Sequence, residues 1–123
     1  MSRPFSSRPH VWAILKIIPQ NAEPIFKLLA GWFSNPGQLY AVRTNSGIVR
    51  VQDNGDVYLF HGSSGSTYLC AKAMYDPTFM PLHAYLNLAL QATLSETEVE
   101  IFDEKAAFDW CSAARALRGR AYH

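Results

Sequence analysis

Hydrophobic residues along this 123-residue chain come in short blocks. The first, residues 11–18, reads Val-Trp-Ala-Ile-Leu-Lys-Ile-Ile between Pro9 and Pro19. Its branched side chains and proline bounds predict a largely buried strand. Asn21 then offers a helix cap, with Glu23 and Pro24 in the first turn, and Ile25, Leu28, Leu29 and Trp32 recur at helical spacing. This predicts a helix over 22–33, closed by Asn35-Pro36-Gly37.

Four short runs of strand-forming residues follow, at 39–44, 48–52, 56–61 and 67–72. The breaks between them are Asn45-Ser46-Gly47, Asn54-Gly55 and Ser63-Ser64-Gly65-Ser66, all of hairpin type, which predicts a four-stranded antiparallel meander. Beyond Tyr75-Asp76-Pro77, Pro81 opens a helix predicted to run to about Thr93. Its Leu88 and Leu90 fall off the main apolar face, as in a helix that is buried all round or meets a partner. Residues 98–102 alternate as a strand, and Asp103 caps a last helix over 104–118 with a stripe of Ala107, Trp110, Cys111, Ala114 and Leu117.

The expected fold is therefore α+β, in the order β-α-β-β-β-β-α-β-α, with helices packed on one face of a mostly antiparallel sheet. With one hairpin removed, the first eight elements follow the ferredoxin-like order. Residues 10–123 read as a single domain and residues 1–9, rich in Pro, Ser and Arg, as a loose arm.

Tight turns set register, and register decides which side chains share a face. With Asn54-Gly55 and Ser64-Gly65 as the central turn residues, Val51 faces Tyr58, Val49 faces Phe60, and Phe60 faces Leu69. One face is then apolar, carrying Val42, Val49, Val51, Tyr58, Phe60, Leu69 and Ala71. The other collects Arg43, Ile48, Arg50, Val57, Leu59, His61, Tyr68, Cys70 and Lys72, a mixed face on which cationic, aromatic and ionisable groups meet aliphatic ones.

Composition narrows the function classes. Hydrophobic residues make up 49% of the chain, enough for a core without metal or disulfide staples. A formal charge of +1 supplies no global field for nucleic acid or an anionic membrane, so neither is expected as a partner. The apolar run at 11–18 is too short for a membrane span and wrongly ended for a secretory signal. Two cysteines make no disulfide framework, which points to a reducing compartment, the cytoplasm.

The glycine- and serine-rich stretch at 62–66 matches neither of the two loops it superficially suggests. A phosphate loop needs Gly-Lys-Ser/Thr running into a helix, but Gly65 is followed by Ser66-Thr67-Tyr68. A nucleophile elbow centred on Ser64 needs glycine at position 66, which is serine. The stretch therefore reads as a hairpin turn. His61 and Cys70 fall diagonally on the mixed face, a conceivable nucleophilic pair with no identifiable third group. No cysteine or histidine spacing suits zinc.

Arg43 and Arg50, opposite or diagonal in that register, repel one another unless they splay into water or are neutralised by carboxylates of the chain (Glu98, Glu100, Asp103 or Glu104) or by a ligand. The candidate ligand-binding residues are thus Arg43, Arg50, His61, Tyr68 and Cys70; no catalytic residue, metal or cofactor is assigned. The leading expectation is a binding module, working as a homodimer, that receives a small anionic molecule on its exposed sheet face. The alternatives are a protein-protein interaction factor of inhibitor or immunity type, and a small hydrolase or transferase using His61 with Cys70 or Tyr68.

Overall fold

The structure, a computed structural model, describes residues 6–34, 37–79 and 82–121. Residues 1–5 of the expected arm lie outside the described residues, as do Pro36 and Pro81. The described residues form eight strands and two α-helices: β1 (Ser6–Ser7), β2 (Val11–Pro19), β3 (Ile25–Phe33), β4 (Leu39–Thr44), β5 (Ile48–Asp53), β6 (Val57–Gly62), β7 (Thr67–Ala71), α1 (Leu82–Leu94), β8 (Thr97–Ile101) and α2 (Glu104–Ala121). A single 3₁₀ turn, Lys72–Met74, follows β7. The strands divide into two sheets of order β1-β7-β6-β5 and β4-β3-β2-β8, antiparallel except where β1 runs parallel to β7. The molecule is thus an α+β domain, but with two sheets where one was expected.

The main departure is β3, expected as a helix. Its apolar spacing fits a helix face, yet a short, nearly continuous apolar run suits a doubly buried strand equally well. Here Val11 to Ile17 of β2 pair residue for residue with Gly31 to Ile25. Asn21 does not cap a helix but takes φ 76° in the connecting turn. Gly31 serves close packing: a Cβ placed there would lie 2.5 Å from the Phe79 ring. The second departure follows from the first. With β3 extended, β4 pairs with it, Ala30 opposite Arg43, and leaves the meander, which keeps only β5, β6 and β7.

The β4-β3-β2-β8 sheet is the central layer. On one of its faces Trp12 packs against Tyr58 and Phe60 of the other sheet and Phe108 of α2, while Phe26 stacks on Trp110 with ring centroids 4.7 Å apart. On the other face Val99 and Ile101 of β8 are half-buried on the side where α1 packs, with Ala92 of α1 buried, whereas Glu98 and Glu100 stay exposed. The helices therefore cover opposite faces of this layer, not one common face. That explains why β2 is apolar at successive positions: residues 11 to 15 are buried on both sides.

Beside β2, where β8 ends, the backbone groups are still satisfied, as buried amides must be. Asp76 N–H donates to the Trp12 carbonyl at 2.9 Å and Phe102 N–H to that of Ile14 at 3.0 Å. The Tyr75 hydroxyl accepts from Ile14 N–H at 3.1 Å and donates to the Phe102 carbonyl at 2.5 Å. Between the sheets, Asn45 holds the β4–β5 corner: its N–H donates to the Leu28 carbonyl at 3.1 Å, and its Oδ1 accepts from Leu28 N–H at 2.8 Å.

Candidate functional site

The β6–β7 turn decides where the expected site residues go. Gly62 N–H donates to the Ser66 carbonyl, leaving a three-residue loop of Ser63, Ser64 and Gly65, with Gly65 at φ 94°. Phe60 therefore faces Tyr68, not Leu69, and a one-residue slip turns every side chain of the strand over. Tyr68 and Cys70 enter the core, at 2% and 0% exposure, while Leu69 and Ala71 join the outer face. The β5–β6 loop is centred on Gly55-Asp56, which moves pairing by two residues and so keeps the faces: Val51 sits opposite Phe60 and Arg50 opposite His61.

The five expected residues consequently separate. Arg43, on β4, bonds the Tyr68 hydroxyl from across the two sheets; burial raises that phenol's pKa and the guanidinium opposes the rise. Cys70 lies in the core, its thiol pKa held well above the usual range by burial and by proximity to Cys111. His61 is on the opposite face, so no Cys-His pair forms. Arg50 and His61 stay together on the outer face of β5 and β6. Burial and then the Arg50 guanidinium lower the pKa of the His61 ring, whose Nε2 lies 2.7 Å from Gln52 Oε1. Arg43 and Arg50 lie in different sheets, so the expected repulsion between them is gone. Glu98 and Glu100 pair across strands with Ile18 and Lys16, away from both arginines.

Beside Arg50 the structure opens a pocket of about 480 Å³ between the start of β3, the strand β5 and the helix α2. Phe26, Ile48, Val51, Trp110 and Ala114 make it apolar, and Arg50, Ser46 and Ser63 supply its polar positions. The size is within the range of small-ligand sites, and one apolar cleft with a few convergent polar groups is their usual character. Among the described residues the ion pairs are Lys72–Asp53 and Lys105–Asp109, and neither engages Arg50. No group of three or more His, Cys, Asp or Glu suited to a metal occurs among the described residues.

No family model, curated protein or solved structure matches this chain. The site rests on its own geometry.

At the mouth of the pocket three serines bond one another. Ser63 Oγ donates to Ser46 Oγ at 2.8 Å, Ser64 N–H donates to the same oxygen at 3.0 Å, and Ser46 Oγ lies 3.1 Å from Ser64 Oγ. They tie the β4–β5 corner to the β6–β7 turn and so fix one rim of the cavity. The serine stretch is thus a turn, as its sequence indicated, and it also borders the pocket. Sequence reasoning missed Phe26, Trp110 and Ala114 as site residues. Trp110 and Ala114 had been placed on a core stripe of α2, and Phe26 on a presumed helix; nothing local marks them as pocket walls.

Proposed function

We propose that this protein is a binding module whose pocket between β3, β5 and α2 receives a ligand with an apolar body and one anionic group. The observation that carries the reading is the placement of Arg50, without a carboxylate among the described residues, at the edge of a 480 Å³ cavity walled by Phe26, Val51, Trp110 and Ala114. An apolar body removes those walls from water, while the anion completes the guanidinium with a charge-assisted hydrogen bond. Catalysis is not part of the reading: Cys70 is sealed in the core, and His61 faces Gln52.

The test is a melting series with apolar monocarboxylates, from hexanoate to decanoate and including phenylbutyrate. A ligand that binds only the folded protein stabilises it by RT ln(1 + [L]/Kd), about 2.7 kcal/mol at a hundredfold excess over Kd. At least one acid is expected to raise Tm, the matching alcohol to do so less, and Arg50→Gln to erase the difference. Equal effects of acid and alcohol would remove the anion from the reading.

Self-association is a second reading, favoured by Leu90 and Leu94 one turn apart on α1 at 56% and 73% exposure.

A further inference from the structure

We infer that the pocket's ligand is a hydroxy acid: an apolar body with a carboxylate for Arg50 and, near it, a hydroxyl that donates to Ser63 Oγ. This rests on the pocket reading above and names its ligand class. A serine hydroxyl has one proton to donate and two lone pairs to accept with. Ser46 Oγ uses all three, accepting from Ser63 Oγ at 2.8 Å and from Ser64 N–H at 3.0 Å while donating to Ser64 Oγ at 3.1 Å. The chain of hydroxyls thus runs one way, from Ser63 to Ser46 to Ser64. Ser63 has committed its proton and keeps its lone pairs, and its backbone N–H is committed as well, to the Gly47 carbonyl at 2.9 Å.

Ser46 and Ser63 both line the pocket and both are exposed, so this rim is reachable and presents an acceptor without a donor. A ligand that meets it must bring the proton. Arg50, the other polar position, makes the opposite demand: a guanidinium donates and accepts nothing. A simple fatty or aromatic acid satisfies Arg50 alone, whereas an acid with a hydroxyl satisfies both.

The donor is a hydroxyl and not an ammonium. An ammonium carries three N–H donors and a charge, and no side chain that lines the pocket is a carboxylate. Against apolar walls, beside the Arg50 cation, one serine oxygen leaves that charge poorly compensated. The single proton of a hydroxyl matches the single serine acceptor. Gly47 gives it access: a Cβ there would stand 3.8 Å from Ser63 Oγ and 3.7 Å from Ile25 Cγ2, so acceptor and apolar wall flank the same stretch of bare backbone. Arg50 is three residues further along, about 10 Å by strand rise, and the long arginine stem shortens that span.

The experiment is calorimetric titration of the full chain with acids on one skeleton: 4-phenylbutyrate, both enantiomers of its 2-hydroxy and 3-hydroxy derivatives, the corresponding keto acids, and the 2-amino acid. One hydroxy acid is expected to bind about fivefold more tightly than 4-phenylbutyrate, the worth of one hydrogen bond. The keto acid, which accepts but cannot donate, should show no gain, and the amino acid should bind more weakly than the parent. Ser46→Ala, at an exposed position, releases the Ser63 proton, so on this variant the keto acid should gain by a similar factor. Combining Ser46→Ala with Ser63→Ala should make the hydroxy acid, the keto acid and the parent bind alike. No gain from any hydroxyl, a keto acid equal to the hydroxy acid on the unaltered protein, or an amino acid that binds best overturns the inference and leaves the pocket reading standing. A keto acid that stays weak on Ser46→Ala, or a hydroxyl gain that survives the double replacement, shows that Ser63 is not the acceptor and overturns it too. If none of the series binds, both readings fall.

Discussion

Tyr75 shows how much one side chain decides. Its ring packs edge-on to Trp12, with centroids 4.7 Å apart, and its hydroxyl serves two backbone groups of different elements. Tyr75→Phe leaves the Ile14 amide and the Phe102 carbonyl short of a partner and should cost about 1–3 kcal/mol in urea unfolding at pH 7. Burial pushes the phenol up to about 12, from an ordinary 10.0. A folded pKa above the unfolded one means that the native state holds the proton longer, so this contribution is intact below pH 10 and is lost as pH rises towards 12. Cys111, pushed up to about 12 by burial, acts in the same direction from pH 9. Urea midpoints should therefore fall between pH 9 and 12, and Tyr75→Phe should flatten the part above pH 10. The same burial governs thiol chemistry. Cys70 and Cys111 should resist iodoacetamide in the native protein at pH 7 and react on unfolding; rapid native alkylation of Cys70 would revive the nucleophile reading.

At the scale of elements, β3 is the instructive case because a single substitution distinguishes the two conformations its sequence permits. In a helix, Gly31→Ala is favourable by about 1 kcal/mol, since alanine is the better helix former. In the observed strand the new methyl group meets the Phe79 ring and the Val11 side chain, 3.0 Å from its Cγ1, and such overpacking costs about 1–3 kcal/mol. Chemical denaturation should show a loss of stability, and a gain would return residues 25–33 to a helix. The other strand boundaries were legible. The strand at 11–18, the meander strands at 48–52, 56–61 and 67–72, the strand at 98–102 and both later helices recur within a few residues, because Asn-Gly, Pro and Asp capping signals act locally. What was not legible was the loop length at Ser63-Ser64-Gly65. Serine-rich turns close with two or three residues at little difference in energy, and the choice between them inverted the faces of β7.

For the molecule as a whole, the two exposed leucines of α1 bear on assembly. If a second copy covers them, light scattering at tens of micromolar should give twice 13.8 kDa, and Leu94→Ser should return the protein to a monomer without loss of stability. A monomer at that concentration would restrict the molecule's interactions to the pocket side. No helix among the described residues is long and apolar enough to cross a membrane.

The sequence by itself determined the α+β class, most of the strands, both helices that form, and the placement of Arg50 and His61 on one sheet face. These follow from short-range physics: turn residues that accept positive φ, caps, and apolar periodicity. Tertiary structure alone decided that residues 25–33 extend, that β4 leaves the meander for the central sheet, and that Tyr68 and Cys70 turn inward. Each of these depends on what the segment packs against, since a run apolar on both faces satisfies a helix and a buried strand alike. The pocket belongs to the same category. Its walls come from residues 24–26, 46–51, 63, 110, 113 and 114, and only the packing of α2 against the edge of β5 brings them to one place.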